Sequence, residues 1–230
     1  MTSISPITLI SRDECFRENP VLAHAVAGWQ QAHAEGDDDA AEWWAEAHDP
    51  IEPDPAIRWA ESMTLYLPGR GIAETGRELG PALARVLMPF EERTITLIHS
   101  FRTGGWVTGR RGGPPELMEA DRSFRVIGAG KMFTGAIRVA ADDAAAVLVP
   151  LLWMVRLDAG YGEVFIGAGD APVVASLCKY ANLHVDVYSA DAVAAIREAA
   201  RDAGFAEVPD GICRERIGEG GAIPGRALRV

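Results

Sequence analysis

The apolar and polar positions divide this chain into short segments, each with its own period. Residues 20–34 carry Val21, Leu22, Ala25, Val26 and Trp29 at helical spacing. They follow Asn19 and Pro20, an N-cap and a proline at the first helical position. Gly36 ends that helix, and Asp37, Asp38 and Asp39 cap a second short helix over 40–47, before the proline-rich turn of residues 49–55. Residues 7–10 predict a short edge strand, while 56–66 fit either a helix or a helix running into a strand. A helix weakened by Gly76 and Gly80-Pro81 is expected over 72–88, and a strand of high β propensity over 94–101. Residues 124–127 and 133–139 read as an antiparallel strand pair turned at Gly128–Lys131. The second of these alternates Phe133, Gly135, Ile137 and Val139 with Thr134, Ala136 and Arg138. Asp142 and Asp143 then cap a strongly apolar helix that Pro150 kinks.

Residues 163–208 bear most directly on fold. An apolar run at 164–166, a helical pattern at 171–180, a second run at 183–188 and a helix over 191–203, capped by Ser189 and stopped by Gly204, follow in the order of a βαβα unit. That order implies adjacent parallel strands joined by a right-handed crossover. The expected fold class is therefore α/β or mixed α+β, with a βαβα C-terminal half, one antiparallel strand pair and a helical, acidic N-terminal region. The expected organisation is a single domain over 1–230: a mainly helical region 1–68, an α/β core 69–208 and an irregular tail 209–230 rich in Gly and Arg.

Composition narrows the function classes. Hydrophobic residues make up 48% and charged residues 24% of the chain, and no apolar run reaches the roughly 18 residues a membrane helix needs, so a soluble protein with no membrane partner is expected. The first residues show no basic, then apolar, leader pattern. The three cysteines, Cys15, Cys178 and Cys213, are odd in number and widely spaced, which suits reduced thiols and a cytoplasmic setting. The net charge of -11 is concentrated: residues 35–62 hold ten acids against the single basic residue Arg58. Such a block opposes contact with a phosphate backbone, excluding nucleic acid there, and favours a basic protein partner or a solvated face. Trp43, Trp44 and Trp59 lie inside it, and aromatics among charges are frequent interface anchors. Asp37, Asp38, Asp39, Glu42, Trp43 and Trp44 are the expected partner-binding residues.

Catalytic signatures are sparse. Gly128–Lys131 offers a phosphate loop as the rival to a hairpin turn, but no Ser or Thr follows Lys131. Arg102, Arg110 and Arg111 sit in a glycine-rich loop and are candidates for gripping an anion. The five histidines form no i, i+4 pair and have no cysteine pair nearby, so no metal site is read from the sequence; one would have to be assembled entirely by folding. No Gly-x-Ser-x-Gly elbow occurs, Cys178 reads as a small buried residue on an apolar helix, and His99 as a core-edge histidine.

Two resemblances bear on function. Val164-Phe-Ile-Gly-Ala-Gly-Asp170, a helix and then His184-Val-Asp-Val-Tyr188 resemble the first βαβ unit of the S-adenosylmethionine-dependent methyltransferases. That likeness implies cofactor contacts at Gly167, Gly169 and Asp186 and a transferase activity using S-adenosylmethionine. The central third, with Leu151, Leu152, Met154 and Val155 on an apolar helix before residues 158–165, is similar in architecture to the immunity proteins of bacterial polymorphic toxin systems. This second likeness implies a soluble cytoplasmic protein that binds and blocks a partner and needs no cofactor. Partner binding is the leading expectation, with a small-molecule, nucleotide-binding or S-adenosylmethionine-binding transferase that uses the 164–188 unit as its alternative.

Overall fold

The computed structural model describes residues 7–34, 41–68, 71–87, 90, 94–108, 112–209 and 213. Among them the chain forms β1 (Thr8–Ile10), α1 (Arg12–Glu18), α2 (Pro20–Ala34), α3 (Ala41–Ala47), β2 (Glu61–Tyr66), α4 (Ile72–Leu87), β3 (Thr94–His99) and α5 (Pro115–Val126). The second half adds β4 (Ala136–Ala140), α6 (Ala145–Leu157), β5 (Val164–Gly167), β6 (Val173–Leu177), β7 (Leu183–Val187), α7 (Val193–Asp202) and β8 (Ala206–Glu207). The eight strands form one sheet in the order β1-β4-β3-β5-β6-β7-β2-β8, and every pairing is antiparallel. The fold is mixed α+β. The N-terminal region is helical as expected, and it also supplies β1 and β2 to the sheet.

The βαβα reading of the C-terminal half is corrected. Residues 171–180 are not a helix: Val173–Leu177 is β6, which pairs antiparallel with both β5 and β7. Hence β5 and β7 are not adjacent. Five consecutive buried residues are what a central strand covered on both faces requires, and the run is too short for a helix and begins just after Pro172. The expected strand at 124–127 is likewise the end of α5, whose Leu117, Ala120, Asp121 and Phe124 are buried at helical spacing. Gly128, at φ +92°, ends that helix in the left-handed region a glycine tolerates. The 128–131 segment therefore leads from a helix into β4, and neither a hairpin turn nor a phosphate loop forms there.

The two faces of the sheet have separate cores. On one, α4, α5, α6 and α7 cover Met63, Leu65, Ile95, Leu97, Val185 and their neighbours, with Trp106 and Phe124 fully buried. On the other, Cys15, Phe16, Leu22 and Val26 of α1 and α2 cover Ile10, Ile98, Ala136, Phe165 and Val174. Strands β3, β4, β5 and β6 place residues in both cores. A buried polar hub fixes the N-terminal helices to the sheet: Arg12 donates to Asp49 from Nε (2.7 Å) and Nη2 (2.6 Å), and also to the His99 carbonyl (2.8 Å). Gln30 donates to Asp49 (3.0 Å) and to the Ser100 carbonyl (2.5 Å) and accepts from the Asp49 amide (3.0 Å).

Candidate functional site

Two surfaces carry chemistry. The first is built by α3 and the turn that follows it. Phe101, just beyond β3, gathers Trp29, Trp43, Trp44 and His48 around its ring at 4.8–6.4 Å between centroids. Aromatic pairs at such separations contribute beyond their buried area. Trp44 is half-buried and anchors α3, whereas Trp43 remains 47% exposed. Glu42, Glu46, Glu52 and Asp54 are exposed around it. Burial lowers the pKa of His48, against an opposing pull from Asp49. A cavity of about 520 Å³ opens between α2 and this turn, lined by Gln30, Gln31, His48, Asp49 and Glu52 among others.

The second surface is the part of the sheet where α1 and α2 give way to polar residues. Because Met63, Leu65, Leu183, Val185 and Val187 point into the core, the alternate residues of β2 and β7 face outward. Ser176, His184 and Thr64 are cross-strand neighbours, as are Asp186 and Ser62. Ser176 donates to Glu163 (2.6 Å), Ser62 donates to Asp186, and Trp59, 62% exposed, donates to Ser62 (3.0 Å). These residues form a polar row across β6, β7 and β2 on that face.

At the turn between β6 and β7, folding brings Cys178 and His184 together with Cys213, which is remote from them in sequence. The Sγ atoms of Cys178 and Cys213 lie 3.1 Å apart, and Cys213 Sγ is 3.6 Å from His184 Nε2. One ligand atom from each of the three falls within 4.8 Å of the others, a spacing able to hold a metal ion. Cys178 directly follows β6 and His184 is the second residue of β7, across a turn in which Ala181 takes φ +60°. Burial, with the hydrogen bond between the Cys178 thiol and Cys213 second, pushes the Cys178 thiol up to about 12. Sequence reasoning missed this group because it placed Cys178 in a helix. The available signal was the Cys-x5-His spacing, which a hairpin turn folds onto one edge.

The other expected site residues are placed as follows. Asp37, Asp38 and Asp39 lie outside the described residues, as do Arg110 and Arg111, while Arg102 is exposed. Two acids of the block serve the structure, Asp49 paired with Arg12 inside the protein and Glu61 paired with Arg197. Gly167 sits beneath Leu22, whose Cβ would lie 3.0 Å from a Cβ at that position, and the Gly169 amide donates to Asn19 (2.9 Å). Asp186 accepts from Ser62 on the outward face of β7. The three residues of the S-adenosylmethionine resemblance thus fall in an antiparallel β5-β6-β7 meander, with no helix between β5 and β7. His99 is buried, as a core residue, and burial with the nearby Arg12 charge lowers its pKa to about 3.

Compared with family models, curated proteins and solved structures, the chain matches none.

Proposed function

We propose that this protein is a binding protein that engages a basic protein partner through the acidic, tryptophan-bearing segment of residues 42–62, which supplies both the α3 surface and part of the polar row beside it. The observation that carries the reading is the exposure of Trp43 and Trp59 near exposed acids such as Glu42, Glu46 and Glu52, since large aromatics exposed beside charges are the usual anchors of an interface. Concentrated negative charge speeds encounter with a basic surface and biases it against like-charged competitors. An immunity-type protein that binds and blocks its partner is one form of this reading. The cytoplasm is its proposed setting, supported by three cysteines that are free thiols. The transferase alternative rested on a crossover helix whose place is taken by β6, so no geometric observation favours it.

The test is affinity capture from the native host on the immobilised protein, run in parallel with a Trp43→Ala/Trp59→Ala variant and with one in which Asp37, Asp38, Asp39 and Glu42 are neutralised. The wild type is expected to retain a basic protein that elutes as salt rises, because exposed charges are screened beyond about 8 Å at physiological ionic strength. The tryptophan variant is expected to lose at least tenfold in retention, and the neutralised variant to elute at lower salt. Equal retention and equal salt dependence in all three would refute the reading.

A further inference from the structure

We propose that Cys178, His184 and Cys213 form a binding site for a soft or borderline divalent cation, zinc in class, with one coordination position open toward the cavity beside β5. Two thiolates and an imidazole are the donor set that selects such ions over magnesium or calcium. In a tetrahedron with Zn–S near 2.3 Å and Zn–N near 2.0 Å, neighbouring ligand atoms stand about 3.5–3.8 Å apart. The His184 to Cys213 separation of 3.6 Å meets that requirement, and the sulfur pair at 3.1 Å has to open by about 0.7 Å.

The surroundings of the three ligands strengthen the assignment. The outer ring nitrogen of His184, Nδ1, lies 3.3 Å from the Thr64 hydroxyl, which leaves Nε2 directed at Cys213. Asn182 Nδ2 donates to Cys213 Sγ (3.2 Å) and the Tyr180 amide to Cys178 Sγ (3.4 Å). Each prospective ligand therefore has its own orienting partner, the arrangement that fixes tautomer and geometry around bound metals. The cavity next to the group, about 440 Å³, is lined by Tyr161, Glu163, Lys179 and Tyr180 as well as the three ligands. Three protein ligands beside an open cavity leave room for water or a fourth donor, and Glu163 is the carboxylate placed on that wall. A bound ion would also tie the chain beyond β8 to the β6–β7 turn, since Cys213 follows β8 in sequence.

The experiment uses the full-length protein, reduced and stripped with a chelator, titrated with Co2+ as a spectroscopic probe and with Zn2+ against a chromophoric competitor. One equivalent is expected to bind, with thiolate-to-cobalt charge-transfer bands and visible bands of tetrahedral intensity, and zinc is expected to raise the melting temperature. Cys178→Ser, Cys213→Ser and His184→Ala are each expected to weaken zinc binding by at least a hundredfold. Thr64→Val, which keeps all three ligands, is expected to weaken it about tenfold while retaining the cobalt spectrum. Cys15→Ser, at a buried thiol of the α1–α2 core outside the group, is the control and is expected to leave zinc affinity unchanged. The absence of a tetrahedral cobalt spectrum, or binding that survives all three ligand substitutions in variants shown to be folded by circular dichroism, overturns the proposal. So does a Cys178–Cys213 disulfide that forms in air while the reduced protein takes up no metal, which would make the pair a redox couple.

Discussion

Asp49 sits in the most acidic stretch of the chain, yet its carboxylate faces Arg12 and Gln30 inside the protein. A charge pair this deep is stabilised by geometry more than by net Coulomb gain, and removing one partner leaves the other uncompensated. Asp49→Ala is therefore expected to destabilise the fold by about 3–5 kcal/mol in urea unfolding, several times the effect of Glu42→Ala on the exposed face. His99 sets a pH dependence of its own. With a folded pKa of about 3 against the usual 6.5, the unfolded chain binds a proton between these values that the folded chain refuses. Its contribution is fully present above about pH 6.5 and is lost as pH falls toward about 3, on the order of 5 kcal/mol in all. Urea unfolding at a series of pH values from 7 to 4 checks this: His99→Leu is expected to flatten the loss of stability on acidification, and an unchanged slope would show that other groups govern it. The sequence made His99 legible as a core histidine, since it ends a strand of high β propensity. It could not reveal Asp49, because one acid among ten carries no mark of the arginine it meets 37 residues away.

At the scale of elements, what the sequence disclosed depended on whether an element has one covered face or two. Helices α2, α4, α6 and α7 and strand β3 match their expected positions closely, because their periods or β propensities are unambiguous. β6 was hidden because both of its faces are buried, and a continuous apolar run has no period to distinguish strand from helix. α5 was hidden for a different reason: its apolar face is a narrow stripe of Leu117, Ala120 and Phe124 among charged residues, and only its last turn was apolar enough to attract notice. The turn between β6 and β7 carries a local cost that can be measured. Ala181 holds φ +60° there, a region that costs an L-residue roughly 1–2 kcal/mol, and its amide donates to the Cys178 carbonyl (2.9 Å). Ala181→Gly is expected to stabilise the protein by about 0.5–1 kcal/mol after the added freedom of the unfolded chain is set against the relieved strain. A loss of stability on thermal unfolding would mean that the Ala181 methyl packs more favourably than its backbone is strained.

Across the whole molecule, the antiparallel sheet explains where function can sit. Helices fill one face completely and the other in part, leaving the outward residues of β2 and β7 and the α3 surface as the places where polar and aromatic side chains meet solvent. The acidic, tryptophan-bearing part of that surface was visible in the sequence because charge density and aromatic content are local properties. The Cys178, His184, Cys213 group was not, since it depends on a hairpin and on a return of the chain past β8. The same reasoning separates the residues that should contact a partner from those that hold the surface in place: Trp43 and Trp59 belong to the first class, Trp44, Phe101 and Asp49 to the second.

The measurement that tests this most directly is hydrogen–deuterium exchange of the full chain alone and with its captured partner bound. Binding through the acidic face predicts slowed exchange across 41–66, including α3, the 48–60 turn and β2, with little change in α5 and α6 on the opposite side of the sheet. Protection confined to α4–α7, with exchange across 41–66 unaltered, would contradict the account and place the partner on the other face.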